Sequence, residues 1–379
     1  MTEQSKSNVE GFVVESKQIQ KAGDGAQQVQ AGTINVYNGI TEARAREIFS
    51  EMNAIARQSY TQDAYGLALK RVDMFEELLM QKVEKVNGLL EAFGDPSFQF
   101  LLTEAQKRAA ASDRDADIEM ITELLVHRVE EKDSRKTKAS ISKAVEIVDQ
   151  IDDDALCALT LVYAINNWIA TSGNITHGLA TMNDLFSSFC YQTLPNGFDW
   201  AYHLDILNAV RVSSVGTYKK FSEYYTEQFN GYSCVGIQKN SDAYQKAESL
   251  LKEANLPTTV LVEHELNSDF VRLNVSHKQQ IKNITIPTFI QPHTVSFRKT
   301  TEAEVEILNK IWNLYSNDSK LKENFKNAFV RKWDSFETLK SVRLWWEALP
   351  HSMTITPVGK VLAHANAQRY NSNIPDIKF

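Results

Sequence analysis

Cysteine is nearly absent from this 379-residue chain: only Cys157, Cys190 and Cys234 occur, far apart and odd in number. That argues against a disulfide framework and for a reducing compartment. With 15 Gly and 8 Pro the chain is not collagen-like, and with 43% hydrophobic and 23% charged residues it is not disordered. A net charge of -7 excludes a strongly basic nucleic-acid binder. The longest apolar run, Ala155 to Ala170, is interrupted by Asn166 and Asn167 and is too short to span a bilayer. A buried core helix and no membrane contact are therefore expected there. The polar start, Met1-Thr2-Glu3-Gln4-Ser5-Lys6, is followed by no apolar stretch, so a cytoplasmic chain without a secretory signal is expected. In that setting the sequons at Asn174, Asn274 and Asn283 are chance matches.

Charge and pattern divide what is present. Residues 278–379 hold 15 Lys+Arg against 9 Asp+Glu, whereas residues 1–277 hold 26 against 39. The two parts are expected to belong to different domains with different partners. Residues 1–40 alternate Gln and Asn with small and apolar residues, punctuated by Gly23, Gly25, Gly32 and Gly39. They predict short strands that cannot form a sheet alone. Gln28, Val29, Gln30, Ile34 and Val36 are the candidate residues for pairing with other copies of the chain.

Helices are expected from Thr41 onward. The stripe Val72, Phe75, Leu79, Val83, Val86, Leu90, Phe93 steps by three or four and predicts one long amphipathic helix closed by Gly94-Asp95-Pro96. Further stripes follow at Ile118–Val129 and Ile141–Ile151, joined by an exposed polar connection over 130–138. Asp152-Asp153-Asp154 then caps the apolar helix. Tyr232–Ile237, Thr259–Val262, Phe270–Val275 and Ile284–Ile290, the last broken by Pro287, read as strands around an amphipathic segment at Asp242–Ala254. Helices resume at Glu302; Met353–Ile355 reads as a strand, and Thr356-Pro357 opens a last helix running to about Tyr370. The expected fold is mainly α: a helical array or bundle with a short N-terminal β segment. A small α+β region precedes a helical, winged-helix-like C-terminal part. The expected divisions are 1–40, 41–230, 231–300 and 301–379.

No motif names a catalytic residue. His264-Glu265 lacks the second His of a zinc-protease helix, and Asp113-Arg114-Asp115-Ala116-Asp117 lacks the Gly and Glu of a calcium loop, so the latter reads as a solvated helix start and no metal is expected. Gly23-Asp24-Gly25 has no following Gly-Lys-Ser/Thr, and no nucleotide or other cofactor is expected. Cys157 reads as an inert core residue; Cys190 and Cys234 are weighed against His177 and His203 for a Cys–His pair that spacing cannot establish. Four of the six Trp (312, 333, 345 and 346) interleave with Lys326, Arg331, Lys332, Lys340 and Arg343. Together they are candidates for nucleic-acid contact, against the plainer reading of Trp in helix cores with a solvated basic face.

The segment Ala22-Gly23-Asp24-Gly25-Ala26-Gln27-Gln28-Val29-Gln30-Ala31-Gly32-Thr33-Ile34-Asn35-Val36 resembles an uncharacterised family of bacterial cytoplasmic proteins with a Gln/Asn/Gly-rich N-terminal strand segment. Asp95-Pro96-Ser97-Phe98-Gln99 and Ile355-Thr356-Pro357-Val358-Gly359-Lys360 extend that resemblance. It implies a bacterial origin, a helical body and an association with phage defence, and it carries no site residue. The expected function is a non-enzymatic, homo-oligomeric interaction protein, a sensor or scaffold with a protein partner. The alternatives are a hydrolase or nuclease whose site is assembled from distant residues, and nucleic-acid binding through the basic C-terminal region.

Overall fold

The computed structural model describes residues 42–83, 85–86, 89–130, 134–189, 193–291 and 294–374. The expected N-terminal strands, with Gln28, Val29, Gln30, Ile34 and Val36, lie outside the described residues, as does Cys190. The chain divides into two units, Met1–Asp63 and Ala64–Phe379; the second is described here.

Among the described residues the chain is mainly helical, with small antiparallel sheets. In order, the elements are α1 (Glu42–Val83), α2 (Leu89–Ala92), α3 (Pro96–Ala111), α4 (Asp115–Glu130), α5 (Arg135–Ile147), α6 (Asp153–Asn167), α7 (Ile175–Phe189) and α8 (Asp199–Ile206). Then follow β1 (Val210–Ser213), α9 (Phe221–Gln228), β2 (Ile237–Gln238), α10 (Asp242–Glu253), β3 (Leu261–Glu263), β4 (Phe270–Leu273), β5 (Thr285–Gln291) and β6 (Thr294–Lys299). The chain continues through α11 (Glu302–Trp312), α12 (Ser319–Asp334), α13 (Glu337–Ala348), β7 (Ser352–Ile355) and α14 (Pro357–Tyr370).

The caps follow the local chemistry. Asp152 accepts from the Ala155 amide at 2.7 Å and opens α6, whose residues Ala155 to Ile165 are all buried. A helix apolar on every side belongs inside a core, and α6 packs against α7, α8 and α14. Thr356 caps α14 with Pro357 at its first position, and Thr301 forms a reciprocal capping box with Glu304 at the start of α11. Arg298 grips Glu304 with both terminal nitrogens, at 2.6 and 2.8 Å, and with Thr301 it holds that carboxyl down at about 2.

Several expectations are corrected. The helix expected over Val72–Phe93 ends at Val83, and α2 starts at Leu89; Asn87 and Gly88, poor helix formers, stand in the interval. Gly94-Asp95-Pro96 does not only close a helix. Asp95 accepts from the Ser97 amide at 2.8 Å and opens α3, with Pro96 at its first position. The connection expected over 130–138 is shorter, because Ser134 caps α5 and the helix begins at Arg135. The helix start at 113–117 is not fully solvated: Asp117 is buried and bound by Ser112 and by Arg114 at 2.6 Å. Burial outweighs those partners and raises its pKa. Pro287 does not break its strand, because β5 pairs with β6 alone in a two-stranded ribbon where Pro287 faces Phe297. Of Tyr232–Ile237 only Ile237 lies in a strand; Tyr232 is a buried turn residue.

Two principal cores result. The larger joins α3 to α9 with α12 to α14. The smaller runs from Ile237 to Tyr315 and fills the space between the sheet β2-β4-β3, α10 and α11. β7 pairs antiparallel with β1, Val210 opposite Ile355, which ties the last helix to the body.

Candidate functional site

Two polar regions stand out, and they differ in what their charges touch. The first is a closed hub where the small sheet meets the helical body. Arg272, on β4, has no exposed surface. Its guanidinium donates to the carbonyls of Leu273 and Val275, both at 3.1 Å, and of Gly173 at 2.6 Å, and it sits 5.6 Å from the centre of the Tyr232 ring. Glu265, 3.6 Å from Arg272, accepts from the Ile175 amide at 2.6 Å and from the Thr176 amide and hydroxyl at 2.9 and 2.7 Å. It thereby caps α7 from the β3–β4 loop. Burial raises this carboxyl, but the hydrogen bonds from Thr176 and Ile175 and the Arg272 charge prevail and hold it below the ordinary range. Gly173 is needed at the crossing, since a Cβ there would lie 2.1 Å from Asn274 Oδ1.

The same hub answers the question of a Cys–His pair at Cys234. The imidazole nearest to it is His264, which donates Nε2–H to the Cys234 carbonyl at 2.9 Å and accepts from the Leu266 amide at 3.2 Å. Both ring nitrogens are therefore held by backbone. Burial and then the Arg272 charge lower this imidazole to about 4, while burial pushes the Cys234 thiol up to about 12. The Cys157 thiol is buried and donates to the Phe189 carbonyl at 3.2 Å.

The second region is an open cleft around the turn 193–197. Gly197 takes a left-handed φ of +73°. Two buried indoles hold this turn: Trp345 Nε1 donates to the Pro195 carbonyl at 3.0 Å and Trp200 Nε1 to the Gly197 carbonyl at 3.3 Å. Their rings lie 5.9 Å apart. On one side of Pro195-Asn196 is a cavity of about 560 Å³ against α13, lined by apolar Leu194, Leu344, Trp345 and Ala348 and by polar Thr193, Glu337, Thr338 and Ser341. On the other side is a cavity of about 500 Å³ lined by Asp152, Asp153, Asp154, Asp199, Trp200 and His203. Asp153 is bound by Arg114 at 2.8 Å, and His203 donates to the Gln150 carbonyl at 2.9 Å. Asp154, Asp199 and Glu337 are exposed and take no hydrogen bond or ion pair from the described residues. Carboxylates beside indole surface fit an ammonium or guanidinium group. Among the described residues no group of three or more His, Cys, Asp or Glu is placed to hold a metal ion.

The C-terminal Trp and basic residues occupy separate surroundings. Trp333, Trp345 and Trp346 are buried, and Trp333 and Trp346 donate their indole N–H to the carbonyls of Leu339 and Lys219 at 2.8 and 3.0 Å. Trp312 is half-buried beside Tyr315. Arg331 and Lys340 are exposed, and Lys326 and Lys332 are half-buried. Arg343 is held by both oxygens of Asp334 at 2.7 and 2.8 Å and by Glu347 at 2.9 Å.

The hub is hidden in the sequence because His264-Glu265 reads locally only as an incomplete metal motif. The cleft is hidden because Asp152-Asp153-Asp154 reads locally only as a helix cap. The turn signal Pro195-Asn196-Gly197 directly before Asp199-Trp200 was the available clue. A third missed cluster joins buried His127, His364 and Tyr163 from α4, α14 and α6; the two imidazole rings are 5.4 Å apart.

These features define a mainly helical protein whose buried charges brace its architecture and whose open cleft carries unpaired carboxylates. A family model whose description reads ":-like" matches residues 39–378, and the chain belongs to that family. No curated protein and no solved structure matches the chain. Among the described residues no helix is long and apolar enough to cross a membrane.

Proposed function

We propose that the chain is a non-enzymatic interaction protein, a sensor or scaffold that assembles with further copies of itself. The observation that carries this reading is the apolar surface on α1. Tyr65, Leu67 and Leu69 are 65%, 54% and 45% exposed within five residues of one helix. Tyr65 and Leu69 stand four apart on one face, and Leu67 projects from nearly the opposite one. A helix that is apolar on more than one side is normally covered by neighbours, and covering each such half-exposed side chain stabilises an assembly by about 1 kcal/mol. Gln28, Val29, Gln30, Ile34 and Val36, expected from the sequence pattern to pair as strands with other copies, are proposed as a further point of self-association. The resemblance of the terminal segments extends the reading to the bacterial cytoplasm and to phage defence.

The test is the mass of the full chain in solution by light scattering. A multiple of the monomer mass is expected, reduced in Tyr65→Ser/Leu67→Ser/Leu69→Ser and in Val29→Asp/Ile34→Asp/Val36→Asp. A monomeric full chain at micromolar concentration overturns the reading.

A further inference from the structure

We infer that the cleft around Pro195-Asn196 is a docking site for an extended peptide segment of a partner protein, reading an apolar residue followed two positions later by Lys or Arg. The proposal stands on the cleft alone and does not depend on self-association.

Three observations converge on this occupant. The two cavities, of about 560 and 500 Å³, share Pro195 and Asn196 as a common wall. Each has the size of a side-chain or small-ligand pocket. Their chemistry differs across that wall: Leu344 and Trp345 face one cavity, four aspartates the other. Finally, no Lys or Arg lines either cavity, while Asp154, Asp199 and Glu337 have no cation of their own among the described residues. The charge complementary to this surface is positive, and the Leu194, Leu344 and Trp345 surface on the α13 side accommodates an apolar group beside it.

An extended peptide supplies both groups on one face. Side chains two positions apart project to the same face of an extended segment and stand about 7 Å apart. Pro195 and Asn196 are the two residues that the cavities share. The apolar side chain enters against Leu344 and Trp345, and the ammonium or guanidinium reaches Asp154 and Asp199 beside the Trp200 ring. The wall itself is pre-organised, because the indoles of Trp345 and Trp200 hold its carbonyls and Gly197 fixes the bend.

Selection of a displayed random heptapeptide library on the immobilised full chain tests this. Enrichment of apolar-x-Lys/Arg sequences is expected. A fluorescein-labelled peptide carrying the enriched sequence should lose at least tenfold in affinity for Asp154→Asn/Asp199→Asn and for Leu344→Ser, and should bind more weakly as salt is raised. All three positions are exposed, so circular dichroism should show both variants folded. No enrichment, enrichment of sequences lacking a basic residue, or equal binding to wild type and either variant overturns the proposal. Retention of an isolated amine such as spermidine with no peptide selected also overturns it. The mass in solution should be the same for both variants, so failure here is distinguishable from failure of the assembly reading.

Discussion

The hub around Arg272 and the cleft around Pro195 use charge in opposite ways. In the hub a buried guanidinium meets three carbonyls and a carboxylate, and that carboxylate caps α7. In the cleft the acidic groups stand at exposed helix starts, and those of Asp154 and Asp199 meet nothing among the described residues. A buried ion needs partners wherever it sits, so the hub's charges are constrained by folding. An exposed carboxylate costs the fold little and is free to select a ligand. Charge that the architecture does not need is where recognition is best sought.

Substitutions sharpen this contrast. Arg272→Ala should have the largest effect, about 3–5 kcal/mol off the unfolding free energy by urea titration, because it removes the cation beside Glu265 and leaves the carbonyls of Gly173, Leu273 and Val275 without their donor. A loss below 1 kcal/mol would mean that the hub does not brace the sheet against the body.

Acid should act next, through His264. Burial and Arg272 hold its pKa near 4, so the unfolded chain takes up a proton below about pH 6.5 that the folded chain refuses. Stability should therefore fall as pH drops from about 6.5 and level off near 4, by about 3 kcal/mol in all. Glu304 acts in a different window: its contribution is complete above its ordinary pKa and is lost as pH falls through about 2. Comparing wild type with His264→Gln at pH 7 and 4.5 isolates the imidazole, and equal pH dependence in the two would refute its role.

Glu265→Gln should cost less, about 1–2 kcal/mol, since the amide still accepts at the α7 start but brings no charge to Arg272. At the small end, Asp154→Asn/Asp199→Asn should change stability by less than about 0.5 kcal/mol, as for other unpaired surface groups.

The sequence made one of these regions partly legible and hid the other. Helix starts were readable wherever a capping residue precedes an apolar stripe, as at Asp152, Thr301 and Thr356. The break after Val83 was hidden because Val86, Leu90 and Phe93 continue the stripe of Val72, Phe75 and Leu79 through it. The strand β6 is not legible in the sequence because it is held by partners distant in pattern, its pairing with β5 and the Arg298–Glu304 contact to α11. The hub was illegible for a deeper reason: Gly173, Tyr232, Glu265 and Arg272 belong to separate elements, and no local pattern links them. Asp152 to Asp154 and Asp199 were visible as acidic helix starts, but only folding brings both to one cavity beside the Pro195 turn.

Asp152 and Asp153 serve the fold, as a cap and as the partner of Arg114, whereas the unpaired carboxylates of Asp154 and Asp199 are left for recognition. That division can be measured. It is tested most directly by measuring urea unfolding and binding of the selected peptide on one preparation of Asp154→Asn/Asp199→Asn. An unfolding free energy within about 0.5 kcal/mol of wild type and an affinity at least tenfold weaker are expected. A stability loss approaching that of Arg272→Ala, or unchanged peptide affinity, would contradict it.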